Sequence, residues 1–150
     1  KQETDENPAS CLLRTVGCLL LAKHWVLLLM ECLFCKIGKG EIASEIVFED
    51  AEVKVFADLH PKAPVHLLII PKIHIASIAH LQENHTAIIS HMIFTAKRVA
   101  EMQGLKGFKL VFNVGRDGGQ VIDHLHLHLL GGWKDVNEWK QTAGDKVFGI

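Results

Sequence analysis

The chain has 150 residues, 49% of them apolar, a formal charge of −1 and four cysteines. That is the length of one domain, with enough apolar side chains for a core, and the balanced charge carries no basic footprint for nucleic acid. Cys11, Cys18, Cys32 and Cys35 all fall in the first quarter, where they cannot staple distant segments, so a reduced Cys32-x-x-Cys35 pair and a cytoplasmic setting are expected.

Residues 1–10 are polar and acidic. Residues 11–30 are apolar but interrupted by Arg14, Lys23 and His24, which suits no membrane span, since that needs about 20 predominantly apolar residues. The leading Glu3, Asp5 and Glu6 are unlike the basic start of a signal peptide. Residues 1–30 therefore read as an amphipathic or disordered extension with no membrane partner, and the functional domain is expected to begin near Met30. Beyond it, short strands are expected at 46–49 and at 52–58, the second alternating polar and apolar as a half-buried strand does. Two prolines make 59–64 a loop, and the β-branched run 65–70 is a strand ended by Pro71. Asn84 is placed to cap a helix over 84–103, with a core stripe of Ile88, Ile89, Met92, Ile93, Ala96 and Ala100 and Gly104 as its stop. Strands follow at 108–114 and 122–130, separated by the turn Gly115-Arg116-Asp117-Gly118-Gly119. A run of antiparallel strands with one main helix is an α+β pattern.

The segment His124-Leu125-His126-Leu127-His128-Leu129-Leu130 concentrates the chemistry. Side chains alternate across a strand, so the three histidines share one face and Leu125, Leu127 and Leu129 face the core. Imidazoles titrate near neutrality. A neutral one is a nucleophile towards phosphorus, and a protonated neighbour can stabilise charge on phosphate oxygens. Gly118-Gly119 just upstream lets backbone N–H groups come close to a phosphate.

This His-φ-His-φ-His-φ-φ pattern, with φ apolar, resembles the signature of the histidine triad superfamily. The resemblance extends to Asn113, Asp117-Gly118-Gly119-Gln120 and Gly131-Gly132, which look like the Hint branch of nucleotide-binding proteins. Upstream it takes in Cys32-Leu33-Phe34-Cys35-Lys36-Ile37, Phe56-Ala57-Asp58-Leu59, Pro61 to His66 and Ile70-Pro71-Lys72-Ile73-His74-Ile75. It covers residues 31–132, leaving 133–150 as a C-terminal tail that it does not explain. It implies a five-stranded antiparallel sheet with two helices and a homodimer with a continuous sheet. It also implies hydrolysis of purine nucleoside phosphoramidates and aminoacyl-adenylates. Carried over by position, His126 is the nucleophile, His128 contacts the phosphate, His124 orients His126 through its carbonyl, and His66 supports the nucleophile. Asp58 binds the ribose. Phe34, Ile37, Phe56 and Leu59 line the base pocket, while Asn113, Gly119 and the backbone at Ile122 hold the phosphate.

Some bacterial members, which this chain resembles, bind zinc through two cysteines and two histidines, here Cys32, Cys35, His74 and His124. One structural zinc ion and no organic cofactor are therefore expected. Two positions depart from the family pattern. Val121 stands where many members carry a hydroxyl residue, and Asp123 where an aromatic is common. Because Val121 cannot donate to the phosphate or leaving group, a zinc-stabilised nucleotide-binding or interaction protein with little turnover is the alternative function. A nucleotidyl transferase fits less well because the last triad histidine is kept, and a diadenosine polyphosphate hydrolase less well because Gly131-Gly132 follows the strand.

Overall fold

A computed structural model of the chain describes residues 32–140. The expectations for the extension 1–30, for Glu31 and for the end of the tail lie outside the described residues. The elements run α1 (Leu33–Lys39), β1 (Ile46–Glu49), β2 (Val53–Ala57), β3 (Val65–Pro71), two single 3-10 turns, α2 (Thr86–Met102), β4 (Phe108–Val111), β5 (Leu127–Gly131) and a short α3 (Val136–Trp139). The five strands form one sheet in the order β1-β2-β3-β5-β4, each neighbouring pair antiparallel. The last strand in sequence thus lies inside the sheet, between β3 and β4. No helix among the described residues is long and apolar enough to cross a membrane.

Period-two alternation divides the sheet between two layers. Val53 and Val55, Leu67 and Ile69, and Leu127 and Leu129 pack against Ile88, Met92, Ala96, Val99 and Ala100 of α2. On the opposite face Phe56, Leu68 and Ile70 pack against Phe34 and Ile37 of α1. β2 was expected to be half-buried and is covered on both faces. Even Lys54 is buried, because α1 lies over its face, and its ammonium donates to the Ile37 carbonyl (3.0 Å) and pairs with Glu49 (3.3 Å). Lys54 thereby adds a second donor to a carbonyl at the C-terminal end of α1 that already accepts from the Gly40 N–H (3.0 Å).

Four expectations shift. The stripe of α2 runs through Ile88, Met92, Thr95, Ala96, Val99 and Ala100, leaving Ile93 exposed. Five residues beyond Ile88, Ile93 is turned about 140° round the helix, off the buried face. The helix starts at Thr86 rather than Asn84, because a 3-10 turn over Glu83–His85 precedes it. β4 and β5 are shorter than expected, ending at Val111 and beginning at Leu127. The ladder between β3 and β5 stops at Ile69↔Leu127 and that between β4 and β5 at Val111↔His128, although β3 itself runs on to Pro71 against β2. The alternation nevertheless continues through the irregular stretch, with Leu125 as deeply buried as Leu127 and Leu129. Each buried leucine contributes about 1.5–3 kcal/mol, which holds the side chains alternating without a ladder.

Candidate active site

A cavity of about 670 Å³ opens on the α1 side of the sheet, within the size range of small-molecule sites. Its apolar end is walled by Phe34, Ile37, Phe56 and Leu59, and its other end by Asp58, His66, Asn113, Gly119, Ile122, His126 and His128. His124 is not on the wall. It precedes β5 in a bend, so only His128 of the three triad histidines lies within the strand, and the His124 ring is wholly buried elsewhere.

Hydrogen bonds fix the proton on each ring. His126 Nδ1 lies 2.7 Å from the His124 carbonyl, an oxygen that can only accept, so Nδ1 carries the proton and Nε2 keeps its lone pair. The Lys62 backbone N–H donates to His66 Nδ1 (3.1 Å), which puts the His66 proton on Nε2. That N–H donates to His128 Nδ1 at 2.9 Å, with the Asp58 carboxylate 3.5 Å away. His128 is therefore left with its proton on Nε2, 3.5 Å from the Asn113 amide nitrogen, and the Asn113 side chain accepts that proton only with its amide turned to present the oxygen. One wall thus offers a lone pair on His126 and an N–H on His128, from rings whose centroids are 4.9 Å apart. Phe34 packs edge-on against His126, at 5.3 Å between centroids, and limits its rotation.

Burial pushes the pKa of all three rings down. For His126 it outweighs the His124 carbonyl and Asp58, which pull the other way. His66 is lowered by burial against the same Asp58. His128 is pushed to about 4, first by burial and then by neighbouring His126 and His66. The rings are therefore neutral near pH 7. A protonated imidazole beside the nucleophile was one expectation. His128 instead offers a neutral N–H donor.

Behind this wall, Cys32, Cys35, His74 and His124 converge, with donor atoms all within 4.8 Å of one another. The Cys32 and Cys35 sulfurs lie 3.4 and 3.5 Å from His124 Nδ1, and Cys35 lies 3.3 Å from His74 Nδ1. A tetrahedral zinc with Zn–S of about 2.3 Å and Zn–N of about 2.0 Å sets sulfur and nitrogen roughly 3.5 Å apart. His124 Nε2–H donates to the Pro71 carbonyl (2.9 Å), which leaves the Nδ1 lone pair facing the sulfurs. Both cysteines are free, and burial, then the adjacent Cys32, push Cys35 to about 11, an environment that a cation would reverse. The donor set therefore fits a closed structural zinc. A second close group, Asp58, His66 and His128, does not fit a metal, because the Lys62 N–H holds the His66 proton on the atom that faces the other two.

Two polar side chains, Gln120 and Arg116, bind the turn before the triad. Gly119 adopts φ +81°, and a Cβ on Gly118 would lie 2.3 Å from the Val114 carbonyl oxygen, so neither position accepts a side chain without strain. Gln120, 2% exposed, donates to the Ala76 (2.6 Å) and Ile122 (3.0 Å) carbonyls and accepts from the Gly115 N–H (3.1 Å). Gly119 spends its own N–H on the Arg116 carbonyl. Arg116 spans the outside of the turn to the Gln120 and Val121 carbonyls and to Asp123.

Residues 31–142 match the family described as "Scavenger mRNA decapping enzyme C-term binding". A HIT family hydrolase from Legionella pneumophila superposes with a TM-score of 0.68 at 48% identity, covering 69% of this chain and 95% of that one. The chain belongs to the histidine triad (HIT) family. The α+β fold implied by the family resemblance, five antiparallel strands with one long and one short helix, is the fold observed. Among HIT relatives, the purine nucleoside phosphoramidase of Escherichia coli is 42% identical over 104 residues, spanning 68% of this chain and 87% of that one. A Zea mays protein named "14 kDa zinc-binding protein" is 44% identical over 103 residues, 67% of this chain and 80% of that one.

Proposed function

We propose that this HIT protein is a hydrolase of purine nucleoside phosphoramidates and aminoacyl-adenylates that works through a covalent nucleotidyl-His126 intermediate. The observation that carries the reading is the pair of fixed tautomers on one wall, a lone pair on His126 Nε2 beside an N–H on His128 Nε2. His126 Nε2 attacks the α-phosphorus as the bond from phosphorus to the amine nitrogen or to the acyl oxygen breaks; an amine leaves with a proton taken from solvent and a carboxylate leaves as the anion. Water then cleaves the P–N bond to His126, releasing the nucleoside monophosphate. His128 donates to a phosphate oxygen, Asn113 and the backbone N–H of Ile122 complete the cradle, and Gly119, whose N–H is spent in the turn, leaves room for the phosphate beside them. His124 holds the nucleophile through its carbonyl and His66 holds His128. Asp58 accepts from the ribose hydroxyls, and Phe34, Ile37, Phe56 and Leu59 enclose the base. The phosphoramidase relative and the apolar end of the cavity support this substrate class.

Cys32, Cys35, His74 and His124 would hold one zinc ion, which supplies a structural cross-link and no open coordination position. A homodimer belongs to the same proposal. Ile93, Phe94 and Met102 leave apolar surface on α2, and β4 is an edge strand of the sheet. Free Cys32 and Cys35 suit a reducing cytoplasm.

The test is steady-state hydrolysis of an adenosine phosphoramidate by the full chain. Turnover with release of AMP is expected, and binding without turnover would favour the alternative of a zinc-stabilised nucleotide-binding protein. Val121 is the observation behind that alternative, since its 76%-exposed side chain lines the cavity without a donor. Val121→Ser should raise kcat about tenfold on substrates with a poor amine leaving group, a fraction of what a fully placed oxyanion donor gives, and leave good leaving groups little changed. Equal rates for both variants across an amine series would remove the missing hydroxyl from the account.

A further inference from the structure

We infer that Arg116 is a positioning residue that orients and polarises the Val121 and Ile122 backbone N–H groups as phosphate donors, in place of the hydroxyl that Val121 lacks. The inference rests on the proposed phosphoryl chemistry and adds residues to it. The Arg116 guanidinium donates to the Gln120 carbonyl (3.3 Å) and to the Val121 carbonyl, and its other nitrogen pairs with Asp123 at 2.9 Å. The Gln120 carbonyl shares a peptide unit with the Val121 N–H, and the Val121 carbonyl with the Ile122 N–H. A cationic donor on a carbonyl oxygen draws electron density towards it and leaves the amide hydrogen of the same peptide a stronger donor.

Both N–H groups sit on residues that line the cavity, and neither has a hydrogen-bond partner among the described residues. The N–H groups of Gly118, Gly119 and Gln120 are by contrast consumed inside the turn. Two unpaired donors in a row beside His126 and His128 form a small anion-binding concavity, and among the described residues Arg116 is the one cation hydrogen-bonded to its peptides. Asp123 keeps the guanidinium there. Arg116 and Asp123 are 65% and 69% exposed, so an isolated ion pair between them would contribute little to stability. The effect is expected in the reaction and not in the fold.

The experiment pairs kinetics with backbone amide spectra. Arg116→Ala should lower kcat on an adenosine phosphoramidate about tenfold, less than the loss of a direct oxyanion donor, with KM within about threefold and the melting temperature unchanged. Arg116→Lys, which can reach one carbonyl but cannot fork, should recover part of the loss. In ¹H–¹⁵N spectra of the wild type, AMP should shift the Val121 and Ile122 amide protons downfield, and in Arg116→Ala those shifts should shrink. AMP that leaves both amides unmoved, or Arg116→Ala with kcat and amide shifts like the wild type, overturns the inference. So does a variant that loses kcat only in step with thermal stability. If the wild type binds AMP yet turns nothing over, the hydrolase reading fails, and the amide shifts alone decide the role of Arg116.

Discussion

His126→Ala is expected to lose turnover by roughly four orders of magnitude or more, the scale on which removal of a nucleophile acts, while still binding AMP. The two effects separate because they come from different side chains. The bond-forming atom is His126 Nε2, whereas ribose and base would be held by Asp58, Phe34 and Phe56, which the substitution leaves in place. Phe34 loses one edge-on neighbour and keeps another, Phe56, at 5.6 Å between centroids. His128→Ala should cost less, since it removes a donor and leaves the lone pair. Rapid quenching of the wild-type reaction, followed by peptide mass spectrometry, should find a nucleotide on the peptide carrying His126. Near-normal rates in His126→Ala, or fast turnover with no adduct, would replace the covalent route by direct attack of water.

Cys35→Ser should release zinc and lower the melting temperature by about 10 °C, equivalent to roughly 3 kcal/mol for a domain of this size. The argument is the position of the cluster. It joins Cys32 and Cys35, at the start of α1, to His74 after β3 and His124 before β5, two segments that hydrogen bonds such as His124 to the Pro71 carbonyl already tie to each other. Metal analysis of freshly purified protein should give about one zinc per chain. Absence of zinc, with a melting temperature unmoved by chelator, would leave the four residues as a buried polar cluster without a metal.

The alternation of histidine and leucine was legible because it depends on local geometry and on the burial of three leucines. The extent of that strand was not, because a ladder depends on its partner, and β5 pairs with β3 no further than Ile69↔Leu127. Lys54 was unreadable for a similar reason, since its burial follows from α1 lying across β2. The residues of the cavity wall and of the Cys and His cluster could be named through family resemblance, yet nothing in their spacing brings His74 to Cys35, 39 positions away. Arg116 and Gln120 left no signal of their kind. Their partners are mostly backbone carbonyls, which every residue has, so composition cannot mark them.

The central position of β5 makes completion of the reaction centre depend on the last strand in the chain. Val65 pairs with Gly131 and Leu67 with Leu129 across a long stretch of intervening chain, contacts of the kind that slow folding because loop closure precedes their reward. During synthesis β1, β2 and β3 can pair as consecutive hairpins, while β3 keeps one edge open until β5 arrives to fill it. A nascent or truncated chain lacking β5 therefore presents an apolar strand edge, the template on which chains pair with one another. The strand that carries His128 is also the one that closes the sheet, so loss of the C-terminal part would remove solubility and catalytic competence together.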